Sequence, residues 1–434
     1  MHYIVNRFLL IALLLIGTSG HADAQFFRHL FGGEKKPAKK VETPAPVVKK
    51  KPVTKPKPAT VAKKKDPDYP ETKMKPVYRV DVFAHLYLDE LVKDGKPAYK
   101  GKLPEKATAG LDFYEGVKLA VDTLNHRGYT MDVYVHDVAS PNEALAALIA
   151  ANKLDSTDLI IGAVNTTLVP ALADFAAKKK INFISALSPS DAGVKNNPYF
   201  ILLQPALQTH CEWIAQTVAV KYKNITPVLL TRTSVSVDSS AVAYLNFADG
   251  AVKKVLCNTL PTKEKLQPLF DSTRKNVIVA AILDVSYAEN LLSQLHTMFP
   301  EYDFEVFGMP SWKGMSALKK ADAFPNAAVY ITAPYYFDMS TAIGQAIVAN
   351  YKKDAGGSKP GDMVYRGYET MYWYAYMLYK YGTIFNEKFS DNAAAPFTRF
   401  DIKLKKDRND KVLYQENKHI VLYRYQSSSY TVEQ

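Results

Sequence analysis

Gly110-Leu111-Asp112-Phe113-Tyr114-Glu115-Gly116-Val117 opens a run that continues to Ser190 and reads as helix, strand, helix, strand, helix, strand. Phe113, Val117, Ala120, Val121 and Leu124 recur at the spacing of one buried helix face. Gly128 stands where a left-handed cap ends that helix. Met131–Val138 is rich in β-branched and aromatic residues, and Leu145, Leu148 and Ile149 mark a second helix. Leu159-Ile160-Ile161-Gly162 is almost wholly apolar, as a strand covered on both faces must be. Leu168, Leu172, Phe175 and Ala176 give a third helical stripe, and Ile181–Ser185 the next buried strand. Strands alternating with helices predict a parallel sheet with helices on both sides. Ligands of such sheets sit at the carboxyl ends of the strands. Those ends carry Asn165, Thr166 and Thr167 after one strand, and Ser185, Ser188 and Ser190 after another. That is a binding rim of hydroxyls and amides, without acid–base chemistry.

The αβ rhythm restarts after Pro205 and holds to Asp338, giving two successive α/β halves of ordinary domain size. Strand ends in the second half fall at Ser234, at Asp284 and Ser286-Tyr287, at Ser311-Trp312 and at Tyr335. Asp284 and Asp338 suit helix N-capping as well as ligand binding. A long aromatic helix over Met363–Tyr381 and strands at Phe397–Leu404 and His419–Tyr425 complete the chain; the tyrosine stripe of that helix reads as packing.

Upstream, Arg7, the apolar run Phe8–Ile16 and Ala22-Asp23-Ala24 form a secretory signal peptide over 1–24, cut before Gln25. Residues 25–75 form a Lys/Pro-rich tether, with twelve lysines, six prolines and one glutamate between Lys35 and Lys65. Proline and like-charge repulsion predict an extended, disordered segment there. Residues 1–65 carry 12 Lys and 2 Arg against Asp23, Glu34 and Glu42, a net of +11. The rest holds 41 basic and 40 acidic residues, so the overall charge of +12 gives no basic face to a folded part and no warrant for nucleic-acid binding. The tether's charge suits an anionic envelope surface, or simply a solvated spacer. No nucleophile elbow, zinc-protease signature or phosphate loop is present, so no catalytic residue, metal or cofactor is expected. Cys211 and Cys257 are compatible with one bridge or with two free thiols.

Phe113-Tyr114-Glu115-Gly116 with Ala120 and Asn125, Ile160-Ile161-Gly162 with its hydroxyl cluster, and Arg366-Gly367-Tyr368-Glu369 stand in a specific order. In these segments the chain resembles the type I periplasmic binding proteins, the branched-chain amino-acid-binding and extracellular receptor fold, in a form similar to Bacteroidetes envelope proteins. The resemblance implies two doubly wound parallel-sheet lobes joined by crossover strands. Lobe I would span 76–205, completed by about 364–434; lobe II would span 206–338, with crossover helices and C-terminal strands over 339–434. It implies a periplasmic, non-catalytic protein that holds a small molecule in the cleft for ABC-type uptake or sensing, with a membrane permease or envelope protein as partner. It places ligand contacts at Thr166, Thr167, Ser188, Ser234, Ser286, Tyr287, Ser311 and Trp312, with Tyr87, Tyr287, Trp312 and Tyr335 as aromatic walls. Amino-acid binders of the family carry an acid where this chain has Ser311-Trp312, and a hydroxyl and N–H where it has Pro189. An envelope regulator resembling cell-wall synthase activators, with no small-molecule ligand, is the alternative. A hydrolase is the most distant reading.

Overall fold

The computed structural model describes residues 67–320, 323–354 and 358–433; the expected signal peptide and most of the tether lie outside them. The compact unit that carries every element below begins at Tyr69. In chain order its first part contains β1 (Tyr78–Ala84), α1 (Leu88–Leu91), β2 (Val92–Lys93), β3 (Lys96–Pro97), α2 (Glu105–His126) and β4 (Met131–Asp137). Then come α3 (Leu145–Ala150), β5 (Leu159–Ala163), α4 (Val169–Lys179), β6 (Asn182–Ser185) and β7 (Phe200–Leu202). The second part contains α5 (Leu207–Lys221), β8 (Val228–Thr231), α6 (Ser236–Leu245), β9 (Lys253–Leu256), α7 (Lys263–Leu266) and β10 (Asn276–Ala281). It continues with α8 (Val285–Met298), β11 (Phe304–Gly308) and β12 (Ala327–Ala333). Helices α9 (Ala342–Asp354) and α10 (Asp362–Tyr381) lead to β13 (Ile402–Lys406), β14 (Val412–Asn417), β15 (Val421–Gln426) and β16 (Ser429–Glu433).

Two seven-stranded sheets result. Their orders are β13-β14-β7-β6-β5-β1-β4 and β16-β15-β12-β11-β10-β8-β9. Pairing is parallel except at β13–β14, β12–β15 and β15–β16. Strands β5, β6, β10 and β12 are buried at every residue, which is why their centres read as apolar runs.

The chain passes between the sheets three times: at 203–206, at 334–341 and at 418–420. Buried polar groups knit these passes together. Leu203 O accepts hydrogen bonds from Arg366 Nη2 (3.2 Å) and Asn417 Nδ2 (3.1 Å). Glu416, fully buried, accepts from Ala206 N (3.1 Å) and the Thr209 hydroxyl, and pairs with Lys418 at 2.9 Å. Burial works against its charge, but Lys418, Thr209 and Lys405 outweigh it and hold the carboxyl below its ordinary range. Tyr423 of β15 donates to Tyr335 O (3.2 Å) in the second pass.

Helices α2 and α10 pack backbone to backbone. A Cβ on Gly116 would lie 1.9 Å from Val364 O, and one on Gly367 would lie 2.1 Å from Phe113 O. The two most distinctive glycines of the sequence are thus the two sides of one helix crossing. Of the tyrosine stripe of α10, Tyr365, Tyr368 and Tyr372 are buried and Tyr376 and Tyr379 half-buried.

Residues 69–75 run as a strap across the amino ends of the first sheet. Thr72 Oγ1 donates to Tyr381 O (2.8 Å) and accepts from Ile384 N (3.1 Å). Lys73 and Thr383 exchange two hydrogen bonds of 3.1 Å, and Lys75 pairs with Asp158 at 2.6 Å. Tyr69 meets Tyr199 edge-to-face at 5.7 Å.

Several expected boundaries differ from those observed. The last hairpin, β15–β16, joins the second sheet, whereas the sequence reading assigned the C-terminal strands to the first lobe. Strand β14 escapes a sequence reading because it ends Gln415-Glu416-Asn417, a polar triplet buried for the sake of the passes. The helix expected over 142–152 breaks at Ala144, whose extended backbone separates a short 3-10 turn from α3.

Candidate functional site

The carboxyl ends of β1, β5 and β6 form the rim of the first lobe. Asp137, at the end of β4, collects the N–H groups of Leu86 (3.0 Å), Tyr87 (3.1 Å), Leu88 (2.7 Å) and Ala139 (3.0 Å). Held in this way, Tyr87 adopts φ +56°, a left-handed conformation that bulky residues rarely take. Its half-buried ring lies under Lys106 Nζ, 4.5 Å from the centroid. His85 Nε2 accepts Asn165 N–H at 3.3 Å, and the Thr167 hydroxyl donates to Asn165 Oδ1 at 2.6 Å. Thr166 Oγ1 and Ser188 Oγ are 3.2 Å apart, and Ser188 Oγ also takes the Ser190 N–H at 3.2 Å. The structure therefore brings Asn165, Thr166, Thr167 and Ser188 together at the start of α4. Among the described residues no side chain caps that helix, and Pro170 at its second position removes one of its first N–H groups. Ser185 lies beneath, fully buried, and its hydroxyl has no partner among the described residues.

The second lobe presents a different surface. Arg232, at the end of β8, pairs with buried Asp238 (2.6 Å), approaches Asp284 (3.6 Å) and lies 4.7 Å over the Tyr287 ring. Tyr287 donates to Cys257 O, and burial pushes its hydroxyl up to about 12. Asp284 caps α8 by accepting Tyr287 N–H at 3.0 Å. Ser234 is tied to Asn258 Oδ1 by both N–H and hydroxyl at 3.2 Å. Ser286 is exposed on the first turn of α8. Ser311 donates to Leu283 O at 2.7 Å.

Two expected aromatic walls are absent from the cleft surface. Trp312 is fully buried in the core of the second lobe, donates Nε1–H to Ile282 O (2.7 Å) and packs on Gly308, where a Cβ would lie 2.1 Å from its ring. Tyr335 is buried too, stacked on Phe337 at 4.4 Å, and belongs to the second pass. Both cysteines are buried and unbridged.

An open cavity of ≈ 680 Å³ lies between the lobes beside the first pass. Of the residues expected at the cleft, Pro189, Ser190 and Ser311 line it. The sequence reading missed Asp191, Gln208, His210, Tyr244 and Lys405, which line it from loops, helices and β13 rather than from strand ends. Its volume lies within the range of small-molecule sites, about 300–1,000 Å³.

Two doubly wound lobes, three chain passes and a cavity beside them give the architecture of a two-lobed binding protein. The family model for periplasmic binding protein matches residues 105–410, and the chain belongs to that family. Solved structures agree at the level of fold. A Rhodospirillum rubrum protein described as a branched-chain amino acid ABC transporter is 13% identical, with a TM-score of 0.57 over 82% of this chain and 99% of that one. A branched chain amino acid ABC transporter periplasmic ligand-binding protein from Burkholderia xenovorans is 14% identical, TM-score 0.51, over 82% and 94%. LpoA from Haemophilus influenzae is 13% identical, TM-score 0.51, over 83% of this chain and 59% of that one. No curated protein matches by sequence.

Proposed function

We propose that this chain is an exported, non-catalytic binding protein that captures a small molecule between its lobes and presents the closed form to a membrane partner, an ABC-type permease or a sensor. The observation that carries this reading is the ≈ 680 Å³ cavity lined from both lobes beside the chain passes. Closure about those passes would bring Arg232 and Tyr287 toward the hydroxyl rim at Thr166 and Ser188. The leader over 1–24 supports export, and the Lys/Pro segment supplies a spacer on an anionic envelope surface. Were it extended, a segment of about 40 residues at about 3.1 Å each would reach on the order of 100 Å. Among the described residues, no helix is long and apolar enough to cross a membrane.

A thermal-shift panel of amino acids, short peptides, sugars, nucleosides and wall fragments tests this reading. A ligand at about 100 times its Kd adds about 2.7 kcal/mol. No shift from any compound would count against capture. A second reading, an envelope regulator with an empty cleft, is favoured by Ser311 standing where an ammonium-binding acid is expected and by the fold likeness to LpoA. It predicts that panel silence coincides with capture of an envelope protein by the tethered chain.

A further inference from the structure

The cavity beside the first pass has a distinctive lining. Pro189, Pro205, Leu207, Val237, Leu283 and Pro310 supply its apolar wall, with Ser190, Gln208, Ser240, Tyr244 and Ser311 as neutral polar residues beside them. Three of these are prolines, which offer no N–H to a ligand. Two charged residues reach it, and both are engaged. Asp191 accepts the Tyr414 hydroxyl (2.8 Å) and Gly193 N–H (3.0 Å). Lys405 faces Glu416 at 3.5 Å. His210, only 4% exposed, lines the cavity with Nδ1 bound to Thr332 Oγ1 at 2.9 Å. Its Nε2 has no protein partner among the described residues. Burial pushes the imidazole down to about 4, so it meets a ligand as a neutral ring.

We infer, resting on the capture reading above, that the ligand is an uncharged, largely apolar molecule with one hydrogen-bonding group that meets His210. A zwitterionic amino acid brings two full charges that must leave water, and neither finds a free counter-charge on this wall. An uncharged ligand loses little on entering, gains by covering Leu207, Val237 and Leu283, and satisfies His210 Nε2, which otherwise sits nearly out of water. The volume exceeds what one amino acid fills and suits a ring-bearing molecule of drug-like size.

The test uses the full chain and N-phenyl-1-naphthylamine, an uncharged apolar fluorophore with one N–H, alongside leucine and phenylalanine in thermal-shift assays. Val237 is 41% exposed, so Val237→Arg should fold while placing a charge in the cavity. The expected result is saturable binding of the fluorophore at one site, weakened at least about tenfold by Val237→Arg. Stabilisation by leucine or phenylalanine that Thr166→Ala abolishes, with fluorophore binding absent or indifferent to Val237→Arg, overturns the ligand class and leaves capture standing. Silence from the fluorophore and from the whole small-molecule panel overturns both.

Discussion

Replacing Gly116 by alanine should destabilise the first lobe, although alanine is the better helix former. The added methyl on α2 would lie 1.9 Å from Val364 O, 2.8 Å from Val364 C and 2.7 Å from Tyr368 N of α10. Ordinary contact begins near 3.4 Å, so α10 must retreat by about 1.5 Å. What the methyl meets is helix backbone, which cannot rotate aside as a side chain can. Overpacking of this kind costs about 1–3 kcal/mol, and rigid neighbours place it near the upper end. The gain from helix propensity is about 1 kcal/mol. The net is a loss of about 2 kcal/mol, a fall in Tm of about 4 °C or more. Gly367→Ala should behave alike, since its methyl would lie 2.1 Å from Phe113 O on the facing helix. Because either methyl forces the same separation, the double variant should lose less than the sum of the two. Thermal melts of the four proteins by circular dichroism decide the matter. A Gly116→Ala protein as stable as the parent would mean that the helices do not meet through these glycines, and the physical account of the sequence signature would fall.

His136 lies between Asp81 (2.8 Å) and Glu143 (2.7 Å), and Asp81 also holds Arg79. Burial lowers the imidazole, but the two carboxylates outweigh it and raise it above its ordinary value of 6.5. Its stabilisation is therefore complete below that value and fades as pH rises through the higher folded one. Urea midpoints of the parent minus those of His136→Gln should shrink with rising pH, and a constant difference would refute the assignment. Trp312→Ala should cost about 3–5 kcal/mol because the indole is core, and a variant with normal Tm would return Trp312 to the cleft. Glu416→Gln should cost about 1–3 kcal/mol by weakening the bonds to Lys418, Thr209 and Ala206, read as a lower melting temperature of the ligand-free protein. Thr166→Ala, at an exposed position, should change unfolding free energy by less than about 0.5 kcal/mol, so any binding loss it causes reports on the rim alone.

The alternation that makes both sheets was legible because strands covered on both faces must be largely apolar, as Leu159–Ala163 and residues 277–281 are. The glycines of α2 and α10 were visible as a pattern, but that they touch depends on a contact between residues roughly 250 positions apart. The strand that closes the first pass stayed hidden because Gln415, Glu416 and Asn417 are buried for their hydrogen bonds. Trp312 misled for a related reason. A strand-end aromatic resembles a cleft wall until the missing side chain of Gly308 draws it into the core. The hydroxyl rim followed from strand ends, whereas the cavity wall comes from helix and loop positions that share no sequence period.

The strap at 69–75 has a mechanical meaning. It is bonded at the amino ends of the first sheet, and the rim lies at the carboxyl ends. A pull on the chain at Tyr69 would load its own hydroxyl bonds with Pro198 and Gln415 and the hydrogen bonds of Thr72 and Lys73 to Tyr381 and Thr383 before it reached β1. Tension applied there would be borne by the first lobe, on the face opposite its rim.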